Sequence, residues 1–185
     1  MKQIAVLGCG TVGSGVYEIL KKNPPSIAKK AGDSIEIKYI LDIREFDDHP
    51  EKHLFTKNFD DILNDDEVSI VVEVMGGLEP AYSFSKSALL KGKSVVTSNK
   101  ELVATHGTEL IRLAKEHDAN YFFEASVGGG IPIIRPLNQC LTANEIDEVH
   151  GILNGTTNFI LTKMFEENMS FEAALAKATE LGYAE

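Results

Sequence analysis

Gly8-Cys9-Gly10-Thr11-Val12-Gly13 stands between an apolar run, Ile4-Ala5-Val6-Leu7, and apolar residues at helical spacing, Val12, Val16, Ile19 and Leu20. A G-x-G-x-x-G that follows a strand and opens a helix is suited to the pyrophosphate of a dinucleotide. Gly8 permits the tight turn, Gly10 lets phosphates approach the backbone, and Gly13 lets helix and strand pack closely. The unpaired amides at the helix start then donate to the phosphates. The bland alternative is a glycine-rich turn that binds no nucleotide.

Asp42 follows the second strand-like segment, Ile35 to Leu41, about 30 residues past Gly13 where about 20 is usual for the ribose-binding acid. The stretch from Asn23 to Gly32, with its two prolines, supplies the extra length. An acid there accepts from both ribose hydroxyls and repels a 2′-phosphate, which favours NAD, whereas Arg44 two residues later favours NADP. Both are also explicable as ordinary loop charges, so cofactor preference stays open.

Three further segments end strands at the edge where open α/β sheets bind ligands. Glu73-Val74-Met75-Gly76-Gly77 places glycine, Gly76 first, where a nicotinamide would pass close to the backbone. Thr97-Ser98-Asn99-Lys100 offers small polar groups and an ammonium that could hold a substrate carboxylate or support proton transfer. A cation is poorly placed at a helix start, and that misfit argues for function at Lys100. Glu124-Ala125-Ser126-Val127-Gly128-Gly129-Gly130-Ile131-Pro132 could coordinate a hard cation through oxygen, shape a substrate floor or act as a hinge. Asn154-Gly155-Thr156-Thr157-Asn158 offers hydroxyls and a helix start to a small polar or anionic ligand, with Thr156 the candidate contact, although plain N-capping accounts for it almost as well.

The elements that must hold these residues alternate. Strands are expected at 4–7, 35–41, 69–74, 94–97 and 121–124, with helices after the first glycine loop, around 60–64, and at 80–90 and 101–117. Asn23-Pro24-Pro25 is expected to stop the first helix, and 44–57 reads as a polar loop. Strand-helix alternation predicts an α/β fold, a Rossmann-type doubly wound parallel sheet. From Pro132 the texture changes to a helix containing Ile133, Ile134, Leu137 and Leu141, a strand at Ile146 to Leu153, and two helices. The last runs from an N-cap at Ser170 to Leu181, with Gly182 as C-cap. Residues 1–132 are therefore read as an NAD(P)-binding domain and 133–185 as the beginning of an α+β catalytic and dimerisation domain. Fifty residues of one strand and three helices bury little surface alone, so the chain reads as the amino-terminal portion of something longer.

Composition bounds the partners. Of 185 residues, 43% are apolar and 25% charged, with a formal net charge of -10, a profile that excludes disorder and disfavours nucleic acid. No stretch approaches the roughly 18 apolar residues of a membrane span, and no signal peptide opens the chain, so a cytoplasmic address without membrane association is expected. Cys9 and Cys140 form no CxxC pair; Cys9 reads as a small spacer in the glycine loop and Cys140 as core. The five histidines show no metal-ligand spacing.

Taken together, G-C-G-T-V-G at 8–13, V-V-E-V-M-G-G at 71–77, V-V-T-S-N-K-E-L-V-A-T-H-G at 95–107, E-A-S-V-G-G-G-I-P at 124–132 and G-I-L-N-G-T-T-N-F-I-L at 151–161 resemble the homoserine dehydrogenase family. The first motif is common to many dehydrogenases, while the other four in this order are specific. The resemblance implies NAD(P)-dependent interconversion of L-aspartate 4-semialdehyde and L-homoserine, an oxidoreductase step (EC 1.1.1.3) in the biosynthesis of threonine, methionine and isoleucine. It makes Gly10, Thr11, Val12 and Gly13 dinucleotide contacts and puts Thr97, Ser98 and Lys100 beside nicotinamide and substrate. It assigns a monovalent cation, Na+ or K+, to Glu124 and the carbonyls of Val127, Gly129 and Ile131, and the substrate amino group to Glu185.

In the family the chain continues with an aspartate-rich stretch, a lysine treated as general acid and the strands of a homodimer interface. The 185 residues are accordingly expected to bind cofactor with weak or no turnover, the proton coming from that later lysine. The competing reading is a non-catalytic NAD(P)-binding, redox-sensing module. An acylating dehydrogenase would need a nucleophilic cysteine at a sheet edge, which Cys140 does not supply.

Overall fold

The structure is a computed structural model and describes residues 1–152 and 154–184. Two compact units divide it, residues 1–129 and a second that begins at Gly130. In the first, the opening apolar run forms β1 (Lys2–Leu7), which leads through the glycine loop into α1 (Thr11–Lys22). Then follow α2 (Pro24–Ala31), β2 (Ile35–Leu41), β3 (Phe55–Thr56), α3 (Phe59–Leu63), β4 (Val68–Glu73), α4 (Ala81–Leu90), β5 (Ser94–Thr97), α5 (Lys100–Glu116) and β6 (Tyr121–Phe122).

The six strands form one sheet in the order β3-β2-β1-β4-β5-β6, and every pairing is parallel. Side chains alternate between the two faces of a strand, and β1 shows the consequence. Ala5 and Leu7 join Val71, Val95, Leu89, Leu102 and Leu110 on the face covered by α3, α4 and α5. Ile4 and Val6 join Val72, Val16 and Leu20 on the face covered by α1. Both faces are buried, which is why these strands read as continuous apolar runs, and the Rossmann-type doubly wound α/β fold is observed.

Four local expectations are corrected. Asn23-Pro24-Pro25 ends α1 yet also starts α2, with proline in its first positions, where the missing N–H removes no helical bond. The loop at 44–57 contains a short 3-10 turn, Lys52–Leu54, and β3, which exists through its pairing with Ile40 and Leu41. The fifth expected strand stops at Phe122, and Glu124 opens another 3-10 turn, Glu124–Ser126. No strand forms over 146–152; an apolar run becomes a strand only where a neighbour pairs its backbone, and no strand lies among the described residues of the second unit.

That second unit contains α6 (Ile134–Cys140), α7 (Gly155–Glu166) and α8 (Phe171–Glu180). Ile160 of α7 is buried against Ala174 and Ala178 of α8, with Phe159, Met164 and Met169 around them. Ser170 caps α8 by accepting from the Ala173 N–H at 3.2 Å, as its position predicts. Cys140 is exposed at the end of α6, a helix with no buried residue, so the expectation of a core cysteine is wrong. Its helical spacing was real, but spacing alone does not supply something to pack against. No helix among the described residues is long and apolar enough to cross a membrane.

Candidate active site at the carboxyl edge of the sheet

The glycine loop is built as its spacing requires. Gly8 has φ +100°, a region that side chains disfavour, and a Cβ there would lie 3.2 Å from the Val74 carbonyl oxygen. At Gly13 a Cβ would stand 1.9 Å from the Gly8 carbonyl oxygen, so the helix can approach the strand only without one. Gly10 is the N-cap of α1 and a Cβ on it would meet nothing within 4 Å. The space in front of it is open to a ligand. No side chain caps α1 and its first turn holds no acidic residue, which leaves its amides to an anion. Thr11 and Val12 begin the helix and are exposed.

A cleft of about 370 Å³ lies over this loop, between the carboxyl ends of β1, β2 and β4, lined by Gly8, Gly10, Asp42, Arg44, Met75 and Phe84 among others. In the strand order, β1 is where the connections reverse direction, and such a crevice is where doubly wound sheets bind nucleotides.

Asp42 and Arg44, alternatives in the sequence, are partners in the structure. Arg44 grips the carboxylate with two bonds, Nε to Oδ1 at 3.0 Å and Nη2 to Oδ2 at 2.8 Å. The Arg44 N–H adds a third, and the Cys9 N–H, from within the glycine loop, donates to Oδ2 at 2.8 Å. The guanidinium, helped by these amides, holds the Asp42 carboxyl well below the usual carboxylate range, although burial opposes it. Asp42 is 6% exposed in its side chain and Arg44 is 57% exposed. The aspartate thus faces the loop, while the arginine faces solvent beside the cleft. Lys57, which also lines the cleft and pairs with Glu45, was hidden in what read as a polar loop.

From the glycine loop the rim continues by direct contact. Gly8 packs on Met75, Gly76 and Gly77 take φ of +96° and +71°, and the Gly77 carbonyl accepts from Asn99 Nδ2 at 2.6 Å. Asn99 caps α5, accepting from the Leu102 N–H at 3.0 Å. Lys100, the first residue of α5, is exposed there. Ser98 is half-buried and its N–H donates to the Glu73 carbonyl at 3.3 Å. Thr97 is 1% exposed, and its hydroxyl donates to Glu73 Oε2 at 2.5 Å, so it is turned inward rather than toward a ligand. One rim therefore runs from Asp42 through the glycine loop to Lys100.

A family model described as the NAD binding domain of homoserine dehydrogenase matches residues 8–124, more than half of the chain. The chain belongs to the homoserine dehydrogenase family. A second model, homoserine dehydrogenase, matches residues 132–185. The chain is 43% identical to the homoserine dehydrogenase of Lactococcus lactis over 98% of its length and 41% identical to that of Bacillus subtilis over 99%. It spans 44% and 43% of those relatives, less than half of each. Among solved structures, a homoserine dehydrogenase from Thiobacillus denitrificans superposes with a TM-score of 0.91 at 42% identity, covering 100% of this chain and 43% of that one. A hyperthermophilic archaeal homoserine dehydrogenase in complex with NADPH gives 0.85 at 31% identity, covering 100% and 63%.

The remaining homoserine dehydrogenase positions fall elsewhere. Glu124 opens the 3-10 turn after β6, Val127 follows its end, and Gly129 comes next but one with φ +58°. Ile131 is an exposed residue of the second unit. Among the described residues, no three or more His, Cys, Asp or Glu side chains are grouped to hold a metal. In the second unit Asn154 caps α7 by accepting from the Thr157 N–H at 3.0 Å, the Thr156 hydroxyl donates to the Tyr183 carbonyl, and both residues border a groove of about 400 Å³. Glu185 lies outside the described residues.

Proposed function

We propose that this chain forms the cofactor-binding part of an NAD(P)-dependent homoserine dehydrogenase that interconverts L-aspartate 4-semialdehyde and L-homoserine. The observation that carries the reading is the continuous rim that joins an open glycine loop to an exposed ammonium within one sheet edge. The loop fits a dinucleotide because the space a Gly10 side chain would enter is open and the α1 amides face it.

A nicotinamide cofactor held here would supply hydride chemistry for the aldehyde carbon. Gly10, Thr11, Val12 and Gly13 hold the pyrophosphate, Gly76 lets the reactive end pass close to the backbone, and Ser98 borders it. Lys100 faces the oxygen that gains negative charge. One such interaction, lost from other enzymes, has cost about 3 kcal/mol of transition-state stabilisation. Lys100 acts electrostatically in this reading, and the proton comes from a lysine in the part of the relatives that the chain does not span. Thr156 and Glu185 for substrate, Na+ or K+ at Glu124, Val127, Gly129 and Ile131, and a homodimer at full length belong to the same proposal and rest on the resemblance.

Arg44 makes NADP the preferred cofactor. The Asp42 carboxylate already accepts from Arg44 and Cys9, which leaves it poorly placed to receive two ribose hydroxyls, whereas the exposed guanidinium can meet a 2′-phosphate. Arg44→Ala is expected to weaken NADPH binding by about 10- to 100-fold, in line with about 1.5–3 kcal/mol for a hydrogen bond to a charged group, and to change NADH binding by less than about 3-fold. Titration of both cofactors by calorimetry checks this, and equal losses for both would contradict it.

The function itself is tested by following NADPH oxidation with aspartate 4-semialdehyde, for the 185 residues and for a chain extended to the length of the relatives. The expected result is cofactor uptake by both and rapid turnover by the longer chain. Uptake without turnover in either would favour the non-catalytic module.

A further inference from the structure

Glu73 is the last residue of β4, fully buried at the end of a strand whose other inward residues are apolar. A buried carboxylate is costly unless its oxygens are satisfied, and a valine or isoleucine would suit the strand better. Both oxygens here accept from groups that lead toward the candidate active site. Oε1 accepts from the Met75 N–H at 2.8 Å, on the loop that carries Gly76 and Gly77. Oε2 accepts from the Thr97 hydroxyl at 2.5 Å, across the β4–β5 pairing in which Glu73 faces Thr97.

Thr97 passes the constraint on. Its hydroxyl oxygen accepts from the Asn99 N–H at 3.0 Å, and Asn99 both caps α5 and donates to the Gly77 carbonyl. The network closes on itself: from Glu73 to the loop after β4, from Glu73 through Thr97 to the loop after β5, and from Asn99 back to Gly77. Lys100 follows Asn99 directly. Two left-handed glycines would otherwise leave the first loop free to rearrange.

We propose that Glu73 is a positioning residue whose buried carboxylate, acting through the Met75 amide and the Thr97 hydroxyl, sets the spacing between the Gly76-Gly77 backbone and Lys100, and with it the distance between nicotinamide and ammonium. The proposal rests on the homoserine dehydrogenase reading for what those two loops carry.

The test uses Thr97→Val, which keeps volume and removes the hydroxyl, Thr97→Ser, which restores it, and Glu73→Gln. In the catalytically active protein, Thr97→Val and Glu73→Gln should lower kcat at least 10-fold while the Kd for NADPH changes less than about 3-fold, since misplacement of this order lowers rates by up to about 100-fold. Thr97→Ser should recover most of the loss. Without cofactor, amide hydrogen exchange at Met75 and Asn99 should quicken at least 10-fold in Thr97→Val, with Val71 and Val95 unchanged.

Should Glu73→Gln not fold, the threonine pair and the exchange data still decide. Unchanged kcat in folded Thr97→Val, or faster exchange throughout the sheet, would overturn the positioning role while leaving the enzymatic reading intact. A chain extended to the length of the relatives that takes up NADPH but never oxidises it with the semialdehyde would remove both.

Discussion

Gly13→Ala is expected to abolish NADPH uptake and to remove most of the stability of the first unit. The added Cβ would be placed 1.9 Å from the Gly8 carbonyl oxygen, and that neighbour is backbone held by its own strand. Gly8 cannot retreat easily, because its N–H donates to the Leu41 carbonyl at 2.8 Å and its Cα side faces Met75 and Val74. The helix must therefore move off the sheet and break the packing of Val16 and Leu20 on Ile4, Val6 and Val72. Ordinary overpacking costs about 1–3 kcal/mol, and a backbone clash of this depth should exceed that range against a typical total of about 5–15 kcal/mol. Thermal melting by circular dichroism reads the outcome. Gly15→Ala is the control: its Cβ would find open space within the same helix, and alanine should gain about 0.5–1 kcal/mol there. Equal melting of Gly13→Ala and wild type would contradict the tight strand-helix approach.

In a chain extended to the length of the relatives, Lys100→Met should lower kcat/KM for the semialdehyde by about 100- to 1000-fold, the range seen when one preorganised donor to a developing oxyanion is lost. The same change should leave stability equal or slightly higher. Lys100 is the first residue of α5, where a positive charge opposes the helix dipole, and its removal is worth about 0.3–1 kcal/mol in the stabilising direction. A residue kept for solubility would show neither effect on rate. Steady-state kinetics beside a melting curve separates the two, and an active, more stable Lys100→Met protein would remove Lys100 from the mechanism.

The elements legible in the sequence were those whose burial leaves a pattern. β1, β4 and β5 carry apolar runs where both faces are covered, β2 alternates before turning apolar at Tyr39-Ile40-Leu41, and the limits of all four fall within a residue or two of expectation. β3 was invisible because two residues carry no pattern and it exists through its pairing with β2. The reverse error occurred at 146–152, where an apolar run had no strand to join.

The candidate site divides in the same way. The tight turn at Gly8 and the close approach at Gly13 were legible because they follow from backbone geometry alone. The grip of Arg44 on Asp42 was not, since two residues that spacing makes neighbours can either compete for a ligand or pair with each other. Glu73 was marked only as a strand end, and Thr97 as a contact beside the nicotinamide; that the carboxylate and hydroxyl point inward and meet depends on the register between β4 and β5. One signal was available, a lone carboxylate in the apolar run of residues 70–74.

The central claim is that the backbone around Gly10 wraps a pyrophosphate, and Gly10→Ala tests it most directly. The new methyl would meet no protein atom within 4 Å, so the fold should survive, with at most about 1 kcal/mol lost at the N-cap. The methyl would instead occupy the path of the phosphates. Calorimetric titration with NADPH should show clear binding to wild type and at least a 10-fold weaker Kd for Gly10→Ala at unchanged melting temperature. Folded wild-type protein that releases no heat and takes up no NADPH or NADH, or Gly10→Ala that binds as well as wild type, would contradict it.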